Sequence, residues 1–535
     1  MYFFSVKTTI LAQERPSVPE PTPLPPVTSS AQTEQLRARE WATALRNGLK
    51  MGGSLLITWS VALIVKLRVP AHLGPVRQGE FGFADSFAAM FFAVLGLGIE
   101  THLIKEAAVR PKYASDIVGG VLVLRVLISL VIFPAMAVVL WVTGRSGGVL
   151  TAVIVFGAGY HLMAVNATLG AVLQANSRVG PAVVANILTK VLWGAGLLLG
   201  LRLNASLPLL ALPVVVGEAL RAAILIGATK SGGLEFRVDV RAVRTALLES
   251  VPYFINGLAL GILGNLVMSV LGFVSHDPRE VGWFSSVQNL ASLCMLLSPA
   301  LFWVVMPLLA RAHARSEEEG MAVFRRSLET LVIAITPITV LVSAGSDFLI
   351  RTAFGEPFAP AATGLSILSL VFIMTYANMM FANCLIILKK GWSVTVISIS
   401  SVFVTSVFML LFVPLWRRLL GPGGECAGAA SAVIASEAYV VLAMVTRFRR
   451  FPLDARNLLV FGKTMALATF ILILDRRLRF LGPPRLIVDA ILYLVLAFAI
   501  GAIRIQDIVQ MLRLLRRRDD DAKAVPVAPT SEKLH

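Results

Sequence analysis

About fourteen apolar runs, each near the twenty residues that an α-helix needs to cross roughly 30 Å of hydrocarbon, leave this chain few folds to adopt. The first six cover approximately Leu49–Leu67, Phe83–Ile104, Ser115–Trp141, Val149–Gln174, Pro181–Leu201 and Leu207–Thr229. A polar connector, Lys230–Arg244, precedes six more: Val251–Val274, Val281–Leu309, Leu328–Ala344, Pro360–Leu388, Ser393–Trp416 and Ala427–Thr446. Two last runs, Leu458–Leu474 and Leu486–Ile503, complete the series. Composition agrees: the chain has 57% hydrophobic residues, 15% charged ones and a mean hydropathy of +0.79. Soluble domains average about 45–50% apolar and about 25% charged. The expected class is an all-α polytopic membrane protein, because a helix satisfies its own backbone polar groups in lipid.

The formal charge of +17 would suit nucleic acid, but that needs a basic face or a recognition motif, and here the cations fall mostly in short loops between apolar runs. They report topology, and no nucleic-acid partner is expected. With the N-terminus inside, the cytoplasmic loops collect Lys105, Arg110, Lys112, Arg178, Lys230, Arg237, Arg241, Arg244, Arg311, Arg315, Arg325, Arg326, Lys389, Lys390, Arg447, Arg449, Arg450 and Arg456. The opposite loops hold mainly Arg145, Arg202, Arg279 and Arg351; Arg417, Arg418 and the stretch Arg476–Arg485 break the rule. Both termini are expected on the cytoplasmic side of the inner membrane.

Residues 1–46 are polar and Pro-rich, a composition unable to support a packed core, and are expected to be a disordered tail. Beyond it the chain divides into a six-helix bundle over 47–229, a cytoplasmic connector over 230–246, a second six-helix bundle over 247–447, two additional helices over 448–503 and a basic tail over 504–535. In that tail Ile505, Ile508, Val509, Leu512 and Leu515 share a helical face ahead of three arginines, as in a helix lying at the membrane surface or a basic stop-transfer flank. Cys294, Cys384 and Cys426 show no metal spacing and read as packing residues. No P-loop, H-E-x-x-H motif or soluble domain with paired acids occurs, so no enzyme, metal or cofactor is expected.

The lead-in to the second run, Glu80-Phe81-Gly82-Phe83-Ala84-Asp85-Ser86, recurs as Glu280-Val281-Gly282-Trp283-Phe284-Ser285-Ser286, and both open an apolar run that ends in a basic loop. Glu218 and Glu437 are likewise matched, each a carboxylate near the centre of the sixth run of its half. A half with an even number of crossings repeats in the same orientation. Two parallel six-helix repeats around a central cavity, plus two C-terminal helices, are expected, with alternating access by rocking one half against the other.

These residues resemble the polysaccharide transport family of the multidrug/oligosaccharidyl-lipid/polysaccharide exporter superfamily, and the chain looks like a Wzx-type O-antigen or exopolysaccharide flippase. The resemblance covers approximately Leu49 to Arg450 and extends more weakly to Ile503. It rests on Gly79-Glu80-Phe81-Gly82, on Leu95-Gly96-Leu97-Gly98 followed by Lys105-Glu106-Ala107-Ala108, on Val281 through Leu290, and on Phe354-Gly355-Glu356-Pro357-Phe358 with Ala361 and Leu365. It implies that undecaprenyl-diphosphate-linked oligosaccharide units are moved to the outer leaflet ahead of polymerisation. A lipid-linked oligosaccharide, membrane lipids, a polysaccharide polymerase and a chain-length regulator are the implied partners.

Such a cargo needs a shielded path for glycan and diphosphate, so polar and charged side chains inside the spans become candidates. Arg125, Lys190 and Asn186, one turn before Lys190, are candidates for diphosphate or acidic-sugar contact; the alternative is pairing with Glu100, Glu218 or Glu437. Glu218 and Arg221 stand three apart and read as an intrahelical pair. Glu437 has no cation within a turn of its own helix, leaving protonation, substrate hydrogen bonding or pairing with Lys190 or Arg125. Asn256, Asn265, Gln288, Asn289, Asn378 and Asn383 are expected either to line a sugar cavity or to join helices. His161 and Asn166 read as packing groups or a proton relay, while Lys66 and Arg68 are expected to snorkel to the outer surface.

Two other readings stay open. A cation-coupled multidrug antiporter of the same superfamily would carry a carboxylate early in the first helix of a half, which Leu49–Leu67 lacks. A membrane-embedded polysaccharide synthase or polymerase would need a sizeable catalytic loop.

Overall fold

The computed structural model describes residues 30–499 except 110, 146, 295–297 and 450, with side chains for all of these but 30–51, 108, 109, 111–113, 294, 298–304 and 479. The expectations for residues 1–29, for the side chain of Cys294 and for the helix Ile505–Leu515 fall outside that range. By its contacts the chain divides into Met1–Gly53 and Ser54–His535. In the first unit the backbone is helical from Ser30, within the stretch assigned by composition to the polar tail.

Helix α1 (Ser30–Phe92) is two helical arms merged across a kink at Gly74, whose φ of 71° and ψ of 169° leave the helical region between Pro70 and Pro75. Glycine tolerates that left-handed φ without a Cβ penalty. The second arm ends in a 3₁₀ turn, Ala93–Gly96, followed by Leu97 at φ 50° and Gly98 at φ 65°, before α2 (Ile99–Val109) resumes. The run Phe83–Ile104, continuous by hydropathy, is therefore broken midway.

Four long helices follow, α3 (Pro111–Val142), α4 (Gly148–Ala175), α5 (Val179–Arg202) and α6 (Leu207–Lys230). The connector then leads to α7 (Val240–Val274), which Asp239 caps by accepting from the amides of Arg241 and Ala242. Next come α8 (Pro278–Cys294), α9 (Ser298–Arg315) and α10 (Glu317–Ala344). Ser316 caps α10 and three glutamates fill its first turn, where the helix dipole favours them. The remaining helices are α11 (Ser346–Phe354), α12 (Ala361–Leu368), α13 (Val371–Ile387), α14 (Gly391–Leu420), α15 (Gly424–Val445), α16 (Ala455–Arg477) and α17 (Arg485–Ala499).

Eleven helices among the described residues are long and apolar enough to cross a membrane. The difference from the expected fourteen has a local cause at each place. Gly52–Gly96 counts once although it bends at Gly74. The run Val281–Leu309 is described as α8 and α9 on either side of residues 295–297, and α17 over only 15 residues.

In the first half α4 and α5 pack on α6; in the second α13 and α14 pack on α15. Buried phenylalanines, among them Phe83, Phe87, Phe156, Phe284, Phe324 and Phe381, fill the core between these helices. Leu130, Val131, Trp141 and Phe403 are exposed apolar side chains on the same spans, as lipid-facing positions would be. The two lead-in motifs meet directly. A Cβ on Gly282 would stand 1.8 Å from the Pro75 carbonyl oxygen, and one on Gly79 would stand 2.8 Å from the Gly282 nitrogen. Gln78 Nε2 donates to Ser285 Oγ at 2.9 Å beside that crossing. Small residues let two helix backbones approach this closely.

Candidate functional site

The turn at Gly74 brings the two arms of α1 back to comparable depth. Lys66 lies eight residues before it and Asp85 eleven after, about 12 Å and about 16 Å along an α-helix. Asp85 Oδ1 accepts a hydrogen bond from the Tyr160 hydroxyl of α4 at 2.7 Å. Lys66 and Lys190 of α5 each act on Asp85 electrostatically and also on each other. Lys66 Nζ donates to Ser292 Oγ of α8 at 2.5 Å, and that hydroxyl donates to the Asn289 carbonyl at 2.7 Å. Lys190 Nζ stands 5.1 Å from the centre of the Trp193 ring, within cation–π range.

Lys66, Asp85, Tyr160 and Lys190 are only half-buried by exposed area, although each lies deep among protein atoms. Their intermediate exposure within the spans sets them apart from the sealed core, which would hide such groups fully. Glu218 acts on Lys190 more strongly than Asp85 does, with Arg221 beside it, so Lys66, Lys190 and Arg221 against Asp85 and Glu218 leave an excess of one positive charge.

The expected outward reach of Lys66 is corrected here. Its ammonium is turned inward onto Ser292 because α8 crosses the arm that carries it, whereas Arg68 is exposed. Asp85 and Tyr160 were missed by sequence reasoning. Asp85 was named only as part of the repeated lead-in, whereas the helical arm runs through that motif from Pro75. An acid inside the repeated motif was the available signal.

Arg125 of α3 takes the pairing role of the two open to it. Fully buried, it donates through Nε to the Leu95 carbonyl at 3.1 Å, and its terminal nitrogens bond Glu100, the Ala164 carbonyl and Thr168. Its bond to the Leu95 carbonyl thus falls in the 3₁₀ turn where the second span breaks. Asn186 Nδ2 donates to Ser54 Oγ at 3.3 Å.

The matched glutamates sit in matched surroundings. Asn166 Nδ2 of α4 donates to the Glu218 carbonyl at 2.9 Å and to Glu218 Oε2 at 2.8 Å. Asn378 Nδ2 of α13 donates to the Glu437 carbonyl at 3.2 Å and also to Glu437 Oε2. Beside them, Thr189 Oγ1 of α5 donates to the Gly217 carbonyl at 3.1 Å, and Thr405 of α14 bonds Ser436. The halves differ in charge: Arg221 stands 3.6 Å from Glu218, while Thr375 and Asn378 are the hydrogen-bond partners given to Glu437. Neither Lys190 nor Arg125 bonds Glu437.

The other candidates spread out. Asn265 Nδ2 bonds the Gly261 carbonyl of its own helix at 3.0 Å, Gln288 and Asn383 are half-buried on α8 and α13, and the buried Oδ1 of Asn256 has no donor among the described residues. His161 Nδ1 lies 2.7 Å from Ser129 Oγ, apart from the Asn166–Glu218 pair, so the two form no relay. Cys384 and Cys426 are buried and free.

At the end where the lead-in motifs cross, Glu280 accepts from the amides of Gly423 at 2.6 Å and Cys426 at 2.8 Å, capping α15. Burial pushes its carboxyl up to about 7, against the pull of those two hydrogen bonds and with help from the nearby charges of Glu425 and Asp277. Arg417, which broke the charge rule, stands 3.4 Å from buried Glu425. A separate cavity of about 540 Å³, lined by Ser115, Asn176, Arg178 and Ser231, opens where the connector meets α4 and α6 and takes in none of the charged cluster.

The profile of the family described as "Polysaccharide biosynthesis protein" matches residues 45–313, just over half of the 535. No curated protein matches the chain. Among solved structures, the lipid II flippase MurJ in its inward closed conformation aligns with a TM-score of 0.65 at 13% identity, over 87% of this chain and 100% of that one. An inward-facing multidrug resistance MATE family transporter of the MOP superfamily aligns at 0.60 and 14% identity, over 73% of this chain and 94% of that one. The Vibrio cholerae MATE transporter VcmN, in a mutant form, aligns at 0.52 and 14% identity, over 76% and 98%. At such identities the likeness shows the fold.

Proposed function

The chain belongs to the polysaccharide biosynthesis protein family, a transporter family of the MOP superfamily, and on that premise we propose that it flips undecaprenyl-diphosphate-linked oligosaccharide units across the bacterial inner membrane. The observation that carries the reading is the cluster of Lys66, Lys190, Asp85 and Tyr160 inside the spans. A diphosphate brings the negative charge that two mutually repelling ammonium groups lack, and buried cations in a membrane are otherwise expensive. The glycan would follow the polar wall of Asn186, Gln288 and Asn289, and the isoprenoid would stay in lipid.

Fourteen spans in two like-oriented sextets plus a C-terminal pair are the architecture that fits this work, with Asn166–Glu218 and Asn378–Glu437 as the supporting correspondence. Both termini would then be cytoplasmic and the lead-in motifs would close the outer end. A polymerase would take the product. The test is a strain whose surface polysaccharide depends on this chain. Lys66→Ala and Lys190→Ala are each expected to cut that polysaccharide about tenfold or more, the loss of one charge-assisted hydrogen bond, at unchanged membrane abundance. Undiminished polysaccharide in both would refute the assignment.

A further inference from the structure

A second charged cluster is buried where α10, α16 and α17 meet, away from the first. Asp475 lies in the last turn of α16 and Asp489 one turn into α17; both are buried, Asp489 fully. Arg485 Nε donates to Asp475 Oδ1 at 2.7 Å and its Nη2 to the Ala344 carbonyl of α10 at 3.1 Å. Neither oxygen of Asp489 accepts from any donor among the described residues. One turn earlier on α17, Arg485 holds Asp475, and the Asp475 carboxyl is the acidic neighbour that acts on Asp489.

Two ionised carboxylates offer acceptors only, so such neighbours bond each other only when one of them carries a proton. Charge counting gives the same answer. Arg485 is the one guanidinium facing the pair among the described residues, Arg476 and Arg477 are exposed, and Tyr493 one turn on is directed to Thr336 of α10. The charged residues of α10 run from Glu317 to Glu329, and Glu329 lies fifteen residues from Ala344, about 22 Å along the helix. Two acids against one arginine lack one positive charge, and a buried uncompensated carboxylate is costly.

We infer that Asp475 and Asp489 form a proton-binding site, holding one shared proton while α17 is docked on α10 and α16. The proton makes the pair a net single anion that Arg485 neutralises. Its loss sets two anions against each other beneath the apolar contacts of Val340, Leu467, Ile471 and Tyr493. A free aspartate gives up its proton near pH 4, so the docked arrangement binds a proton that the undocked one has released. Docking of α17 therefore weakens as pH rises and strengthens as it falls.

Infrared spectra of the purified full chain in lipid nanodiscs test this. At neutral pH a protonated-carboxyl C=O band is expected that Asp489→Asn removes; Asp475→Asn reads the same band should the first variant not accumulate. A cysteine placed by Leu486→Cys, where Leu486 packs on Gly345, is expected to gain thiol reactivity at alkaline pH. Combining it with Asp489→Asn, whose amide donates to Asp475 at every pH, is expected to abolish that gain. Identical carboxyl bands in parent and variants would overturn the proposal. So would a band and reactivity that follow exchange of potassium for sodium instead of pH, since a metal cation would then fill the site.

Discussion

Two cations within the spans, Arg125 and Lys190, stand in opposite surroundings. Arg125 is fully buried with each guanidinium nitrogen on a protein partner, so Arg125→Ala strands Glu100 and the Leu95 carbonyl. A loss of about 3–5 kcal/mol is expected, as when one partner of a buried ion pair is removed, read as reduced folded protein in detergent. Lys190 is half-buried, with Glu218 and Asp85 acting on it electrostatically, and Lys190→Ala is expected to leave folding intact while transport falls. Glu280 gives a residue-scale pH dependence. Its folded carboxyl titrates near 7 against an ordinary 4.5, so the stability it contributes is full below the ordinary value and lost as pH rises through about 7. Glu280→Gln is expected to flatten the thermal-stability profile between those values; an unchanged slope would assign it to another group. Sequence alone could nominate Arg125 and Lys190 as charges within spans. It could not tell them apart, because the partners of Arg125 (Leu95, Glu100, Ala164 and Thr168) come from three segments that only the fold brings together.

At the scale of elements, helix existence was legible and helix continuity was not. Runs such as Ser115–Trp141 and Leu207–Thr229 reappear as α3 and α6 because uninterrupted apolar length has one solution in a membrane. The break in the second run depends on the backbone dihedrals of Leu97 and Gly98. The repeated motif was visible as a repeat, but its purpose was not: Gly79 and Gly282 let α1 and α8 touch backbone to backbone. A side chain at 282 cannot share that crossing. Gly282→Leu is expected to pry the motif end open, increasing thiol labelling of a cysteine placed by Ser285→Cys; unchanged labelling in a folded variant would show that this crossing does not act as a gate.

Across the whole molecule, the Asn–Glu pairs at 166 and 218 and at 378 and 437 repeat a side-chain contact in two halves whose sequences match only in fragments. The glutamates were matched by position and Asn166 and Asn378 were named as polar groups of their spans, but the pairing was missed because partners 52 residues apart in one half and 59 in the other follow no local spacing. The repeat supports the proposed rocking of two like-oriented halves about the cationic cluster. The most direct measurement uses proteoliposomes containing the purified chain and a lipid-linked oligosaccharide loaded in one leaflet, with an impermeant glycan-modifying reagent reporting its appearance in the other. The account predicts that wild-type chain equilibrates the two leaflets and that the Lys66→Ala, Lys190→Ala double variant does not. Equal transfer by the double variant, or none beyond protein-free vesicles by the wild type, would contradict it.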